Sequence, residues 1–482
     1  MRAKATPWLL AFIAGAALVT GCAVGPNYVR PTTTPPERFR GQVGAAEAVS
    51  LADLPWWQVF QDPVLQGLLQ EALANNYDLR LAVARVEQAR ALAAAARGAF
   101  FPAIGYQGQI QRSRGGIASA LGLDPGESPQ AESLFVGLFN AVWELDIWGR
   151  IRRLNEAARA QFLGTEEARR GVLLSLTSSV AQAYFELLEL EAKLDIAKLN
   201  TASFQGTYNL FQRRLTEGVG STLQTSRAEG ALGSAAATIP ELEIQIAAKE
   251  NELSTLLGRN PGPISRGTAL FEQPVVPVIP PGLPSALLER RPDLRQAEQQ
   301  VVEANALVGV AEADFFPQIK LTGFAGGVNP ALSGFSNVWS VAAGLTGPIF
   351  TGGRILEKYR AHVATWEQAK FQYEQAVITA FQEVSSALTA LEKLVSVEAA
   401  QARAVKALEA AVRIANERYL GGLASYYEVL EAQQQLFPAQ TKLAEVRANR
   451  LLTYVRLYKV LGGGWNLTDA QWSGPQAKRQ EP

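Results

Sequence analysis

Cysteine and histidine are the side chains best suited to metal binding and nucleophilic chemistry near neutral pH. This chain of 482 residues has one of each, Cys22 and His362. A zinc site of Cys and His ligands needs several such residues, and a disulfide needs two cysteines. Both are therefore excluded within one chain. A Cys–His or Ser–His pair would have to recruit Cys22 or His362. Cys22 closes an apolar amino-terminal stretch, and His362 falls inside a long helical run. Proton transfer would be left to carboxylates and lysines. Lys+Arg and Asp+Glu each number 45, a formal net charge of zero. That balance leaves no electrostatic footprint for nucleic acid. The composition points away from an enzyme and calls for no cofactor.

The elements that hold these residues start with residues 1–21. Arg2 and Lys4 precede an apolar stretch from Trp8 to Val19, followed by the small residues Thr20 and Gly21. This is a secretory signal pattern, shorter than a membrane-spanning helix needs; an uncleaved anchor is the alternative. Leu18-Val19-Thr20-Gly21-Cys22 resembles a bacterial lipobox, with Val19 where Leu is commoner. The resemblance implies cleavage before Cys22 and a covalent lipid on its thiol. Ala23 stands where an inner-membrane retention signal would place Asp, which implies sorting to the outer membrane. Loss of Arg2 and Lys4 leaves 43 basic against 45 acidic residues, a net charge of −2. After Cys22 no uninterrupted apolar run reaches ~18 residues. A membrane crossing would need strands closed into a barrel.

The chain also repeats itself. Asp78-Leu79-Arg80 recurs as Asp293-Leu294-Arg295, and Phe100-Phe101-Pro102 as Phe315-Phe316-Pro317, both offset by 215. Gly149-Arg150 matches Gly353-Arg354, and Leu257-Gly258 matches Leu461-Gly462, offset by 204. Arg214, Gly218 and Ser221 match Arg418, Gly422 and Ser425 at the same offset. The drop of 11 places a longer loop in the first half, between the Phe-Phe-Pro and Gly-Arg marks. Each half reads as a helix, a Phe-Phe-Pro break, two strand-like runs, a very long helix, a glycine turn and a returning helix.

Residues 354–420 contain neither Gly nor Pro, enough for a helix of roughly 100 Å. Leu173, Leu176, Val180, Ala183, Leu187, Leu190, Leu194 and Ala197 keep a heptad in the first half. Val377 to Leu394 repeat it, Glu398 breaks it, and Val405 resumes it in a shifted phase. Heptads alone fit a soluble bundle. The strand-like runs differ: Ile104, Tyr106 and Ile110 alternate with Gln107, Gln109 and Gln111, and similar patterns fill 135–145, 318–322 and 337–346. One apolar face and one small or polar face fit a sheet between lipid and water, or else two soluble hairpins. Phe100, Phe101, Phe315, Phe316, Trp148 and Phe350 cluster at the strand ends, where an aromatic girdle would sit. Four strands cannot close a membrane barrel, so such a chain must oligomerise.

Taken together, the sequence resembles the TolC/OprM-type outer membrane factors, in the lipidated efflux branch. The carrying motifs are Cys22-Ala23-Val24-Gly25-Pro26-Asn27-Tyr28, Trp56-Trp57 with Asp62-Pro63, the two Phe-Phe-Pro breaks, Gly352-Gly353-Arg354 and the paired tips. The resemblance implies an internally duplicated α+β membrane protein. The assembly it implies is a trimer with a 12-stranded β-barrel, four strands per chain, continued by an α-helical coiled-coil barrel and girdled by a small mixed equatorial domain. The organisation expected is a signal peptide at 1–21, a lipidated and equatorial segment at 22–70, and a first repeat at 71–260. That repeat holds a β-hairpin at 103–145 and a tip near 215–222. A Pro-rich link at 261–284 leads to a second repeat at 285–461, with a β-hairpin at 318–348 and a tip near 419–426. An equatorial tail at 462–482 ends the chain.

The function implied is passive: an outer-membrane, lipid-anchored channel reaching into the periplasm. It would conduct drugs or other small molecules from an inner-membrane efflux transporter, of the proton-driven resistance type, through a periplasmic adaptor. The same channel serving peptide or protein secretion is the alternative, and a lipid-anchored coiled-coil scaffold is the rival from another class. Glu428 and Glu431 match family positions whose carboxylates line the pore constriction; a solvated helix face is the plain alternative. Tyr419 matches a family tyrosine that latches neighbouring helices, while Gln224 stands where relatives carry an acidic latch partner. Arg214, Gly218, Ser221, Arg418, Gly422 and Ser425 mark the tips that would face the adaptor. Pro240 and Pro438 fall inside the returning helices, as hinges or as tolerated kinks.

Overall fold

The computed structural model describes residues 23–42, 50–114, 131–274, 280–329, 336–472 and 474. The signal stretch 1–21, Cys22 with its lipobox, and parts of the link and tail lie outside the described residues. Chain contacts define two compact units: Met1–Pro31, Arg85–Thr165 and Gln296–Tyr373 form one, and Thr32–Ala84, Glu166–Arg295 and Glu374–Pro482 the other.

The first unit holds one antiparallel sheet, in the order β1 (Ala103–Arg114), β2 (Ala131–Leu145), β3 (Gln318–Asn329) and β4 (Ser336–Thr346). Residues 115–130 separate the first strand pair and 330–335 the second, which locates most of the extra length in the first half. Tyr106 pairs with Phe139, Phe139 with Ala325, and Ala325 with Trp339. Directly paired residues share a face. One face therefore gathers Ile104, Tyr106, Ile110, Phe139, Trp143, Leu321, Trp339, Val341 and Leu345. The other carries Gln107, Gln109, Gln111, Asn140, Thr322 and Ser340, with Val136, Leu138 and Phe324 among them. Tyr106, Trp339 and Val341 are 85%, 77% and 79% exposed. An apolar face of that extent is anomalous in water and ordinary against lipid.

Among the described residues seven helices are longer than ten residues: α1 (Pro63–Asn75), α2 (Tyr77–Gly98), α3 (Arg150–Thr216), α4 (Thr222–Leu256), α5 (Pro292–Ala313), α6 (Arg354–Leu420) and α7 (Tyr426–Val460). α3 and α6 have 67 residues each, about 100 Å at 1.5 Å per residue. An 18-residue window of α3 is apolar enough to cross a membrane, but 67% of it is buried in the protein, so packing accounts for it. In the first unit, α2 and α5 each end in a turn at the Phe-Phe-Pro break, with Phe101 N donating to Gly98 O and Phe316 N to Ala313 O. Trp148 Nε1 donates to Pro317 O at 2.8 Å while its ring stacks on Phe316.

Residues 23–31 lie along this unit as a strap. Arg153, 4% exposed, donates to Val24 O, Gly25 O and Asn27 Oδ1. Asn305 Nδ2 holds Pro26 O, and Glu298 accepts from Tyr28 and Arg30. Gly25 has φ +90°, and a Cβ there would fall 2.4 Å from Gly309 Cα, so only glycine fits. The Val24-to-Tyr28 motif is thus spent on docking.

In the second unit the heptad positions form the buried seam: Val180, Ala183, Leu187 and Ala197 on α3, and Val377, Ala380, Val384, Ala387 and Leu391 on α6, are buried. The heptad break has a direct cause. Glu398 accepts from Arg447 at 3.1 Å and Arg450 at 2.8 Å, so a carboxylate replaces an apolar knob. The amino-terminal part, the link and the tail meet here: Leu51 N donates to Pro280 O, Gly464 N to Ala52 O, and Trp56 Nε1 to Trp472 O. Asp62, in the Trp-Trp…Asp-Pro motif, caps α1 through the amides of Val64 and Leu65. Its other oxygen accepts from Tyr184, Thr268 N and Gln273. Burial opposes its charge, but the hydrogen bonds from Gln273, Tyr184, Leu65 and Val64 outweigh it and hold its carboxyl below the usual range.

The Leu-Gly marks are helix ends. Gly258 N and Arg259 N donate to Thr255 O and Ser254 O, and Gly462 N and Gly463 N to Lys459 O and Tyr458 O. These crossed bonds are the Schellman closure, with glycine in the left-handed region. Each helix end abuts the start of a 22-residue helix. Asn76 Nδ2 donates to Leu256 O at 2.9 Å before α2, and Arg291 Nη1 donates to Val460 O at 3.2 Å before α5.

Candidate functional site

The two hairpin tips, both in the second unit, use the same closure. Gly218 N and Val219 N donate to Leu215 O and Arg214 O; Gly422 N and Leu423 N donate to Tyr419 O and Arg418 O. Gly218 and Gly422 have φ of 77° and 72°, which a left-handed helix end demands. Ser221 and Ser425 are extended N-cap residues of α4 and α7, yet neither hydroxyl makes a cap bond. Both returning helices run unbroken through Pro240 and Pro438.

The structure brings Arg214 of the first tip to Tyr419 of the second. Arg214 Nη1 donates to Tyr419 Oη at 2.6 Å, with the guanidinium 5.8 Å over the ring. Phe211 and Tyr426 meet edge to face at 4.4 Å, and Tyr419 lies 6.1 and 6.0 Å from them. Ala228, Ala415 and Val429 fill the space around the rings. Burial pushes the Tyr426 hydroxyl up to about 12, so it stays protonated near neutral pH. Arg418 reaches Leu423 O within its own turn, at 3.4 Å. Gln224 is half-buried.

Glu428 and Glu431 are exposed, one turn apart on α7, whereas Tyr426, Val429 and Gln433 are buried. Glu431 accepts from Gln435 at 3.4 Å, and neither carboxylate has an ion pair among the described residues. Arg214, expected at the adaptor-facing tip, is engaged with Tyr419, a pairing the sequence does not announce. The signal available was the aromatic spacing of Phe211, Tyr419 and Tyr426 around both turns. Among the described residues no cluster of metal-ligating side chains occurs.

A sequence-family profile for "Outer membrane efflux protein" matches residues 68–259 and 283–463, the two halves on either side of the link. The chain belongs to the outer membrane efflux protein family. It is the outer-membrane channel component of an efflux pump, and not an enzyme. It is similar to the cation efflux system protein CusC of Escherichia coli O6:H1 (strain CFT073), at 33% identity over 95% of this chain and 98% of that protein. It is likewise similar to the probable efflux pump outer membrane protein TtgC of Pseudomonas putida KT2440, at 34% identity over 95% and 96%. Among solved structures, the outer-membrane channel OprN matches with a TM-score of 0.85 at 29% identity, over 92% of this chain and 100% of that one. The secretion reading draws no support from these relatives.

Proposed function

We propose that three copies form the conduit, that a periplasmic adaptor meets its tips at Arg214, Gly218, Ser221, Arg418, Gly422 and Ser425, and that an inner-membrane transporter loads it with small molecules. The observation that carries this is the four-stranded sheet with one apolar face and two free edges, β1 and β4. Open edges are not tolerated in lipid, and the smallest membrane barrels have ~8 strands. Pairing β4 of one copy with β1 of the next abolishes the edges, and three copies give twelve strands.

Glu428, Glu431 and Tyr419 line the constriction in this reading. Threefold symmetry makes each glutamate a ring of three like charges, which attracts cations at a narrow point. Exposure of both carboxylates in the single chain supports this, since neither has an ion pair among the described residues. Cys22 carries the lipid. Val24 N donates to Trp148 O, and a Cβ on Gly149 would meet Ala23 Cβ at 2.5 Å. The strap therefore starts just past the end of β2, beside the sheet that faces lipid.

Single-channel conductance in planar bilayers tests the constriction. Wild type is expected to be cation-selective, and Glu428→Ala/Glu431→Ala to lose that selectivity. Unchanged selectivity in a folded, trimeric variant removes both residues from the constriction. Mass spectrometry of the mature protein should find a lipid mass on Cys22 and none in Cys22→Ser.

A further inference from the structure

A recess of about 290 Å³ opens near the tips between α3, the end of α6 and the start of α7. Two side chains more than nine-tenths buried carry unpartnered polar atoms there: Tyr426, 6% exposed, through Oη, and Gln433, 5% exposed, through Oε1. Gln433 Nε2 is already engaged with Ser203 Oγ at 3.0 Å. Turning the amide over would pair its oxygen and strand its NH2, so one end is unmet in either orientation. The Thr207 hydroxyl lies beside Tyr426 Oη but outside hydrogen-bonding geometry, and donates to Ser203 O at 3.2 Å. Buried donors and acceptors left unmet are costly, and the recess is far larger than one water needs.

Three observations say what fits. None of the eleven residues lining the recess is charged, although Arg213, Arg214 and Glu217 of the first tip and Glu417 and Arg418 of the second lie close by in sequence. The occupant is therefore neutral. The rings of Phe211, Tyr419 and Tyr426, with Leu210 and Val429, offer an apolar body of aromatic character, and the phenol and amide groups ask for one polar end. Gly206 forms part of the wall from inside α3, where glycine is less favourable than alanine. A Cβ there would meet nothing within 4 Å, so no packing contact requires the glycine.

We infer that this recess binds a small neutral aromatic molecule bearing one hydrogen-bonding group, of the class of phenol. Tyr419 lines the recess and also accepts from Arg214. An occupant braces α3 against the second tip, and binding shifts the population toward this arrangement of the tips.

The test is saturation-transfer NMR and calorimetry with phenol on the purified full-length protein in detergent, with benzoate as the charged counterpart. Phenol is expected to bind saturably, and benzoate at least tenfold more weakly. Gly206→Leu fills the recess and Gln433→Leu removes the amide; each should weaken phenol binding at least tenfold while helical content and melting temperature hold. If Gly206→Leu fails to fold, Gln433→Leu carries the comparison. Three results would overturn the inference: no saturable phenol binding to folded wild type, which leaves the recess to water; undiminished affinity in the folded variants; or benzoate bound as tightly as phenol. The readout is binding, so its failure is distinct from failure of the conductance experiment.

Discussion

Where α4 ends against α2, a neutral amide makes the joint, Asn76 to Leu256 O. Where α7 ends against α5, a guanidinium makes it: Arg291 reaches Val460 O and also Glu383 at 2.7 Å and both oxygens of Asp293. The two hairpins also hold the link through different partners. The first grips it through Tyr184, which accepts from Gly267 N, and through Glu191 and Glu250, which pair with Arg266. The second grips it through Arg447, which donates to Gln273 O at 2.7 Å while pairing with Glu398. Both copies keep the same backbone closures. Ion pairs that reach between elements occur in both, but at different places: Lys249 with Glu186 and Arg266 with Glu191 and Glu250 in the first, Arg447 and Arg450 with Glu398 in the second. Duplication preserved what the backbone needs and released the side chains to diverge.

The largest effects should come from the shared devices. A Cβ on Gly258 would fall 2.4 Å from Asn75 O, and one on Gly462 2.7 Å from Arg290 O, both at positive φ. Gly258→Ala and Gly462→Ala should each cost roughly 3 kcal/mol, strain and clash combined. Thermal unfolding followed by circular dichroism checks this; strongly unequal losses would break the idea that the closures are equivalent.

Asp62→Asn comes next, at about 3 kcal/mol, because its new NH2 faces donors. The wild-type carboxyl titrates below its unfolded value, so its contribution is complete above about pH 4 and falls away as pH drops toward the folded value. Acid melting curves of wild type should therefore steepen below pH 4, and those of Asp62→Asn should not.

Arg291→Ala should cost roughly 2 kcal/mol and Asn76→Ala roughly 1 kcal/mol. Only the first loss should shrink in high salt, since Asp293 is 55% and Glu383 33% exposed and their pairing is screened. Equal salt sensitivity would erase the distinction between the joints. Tyr419→Phe should cost least, about 1 kcal/mol for the hydrogen bond from Arg214, and bilayer recordings should show a more frequently open tip.

What could be read from the sequence follows the same division. The recurring Gly and Leu-Gly marks were legible because a left-handed helix end admits few residues. The heptads were legible because α3 and α6 bury one seam. Alternation in β3 was legible to Thr322 and then lost through Gly323, Gly326 and Gly327, which extend the strand to Asn329 without a side chain to mark a face. Glu398 showed itself as a break, but its partner Arg447 lies 49 residues away. Arg214 and Tyr419 are 205 apart. Spacing within an element encodes periodicity; it holds nothing about which distant side chain will complete a hydrogen bond.

The strand order has a consequence for how the protein is made. β1 pairs with β2 and β3 with β4, each within its own half, but β2 pairs with β3 across α3, α4, the link and α5. Each half can zip a hairpin as it emerges, while the central seam must wait for the second half to be synthesised and exported. Pairings of such long sequence separation are slow to find. Until that seam closes, β2 and β3 are also free edges with apolar faces, open to the wrong partner. The chain therefore depends, between export and insertion, on being held apart from its neighbours.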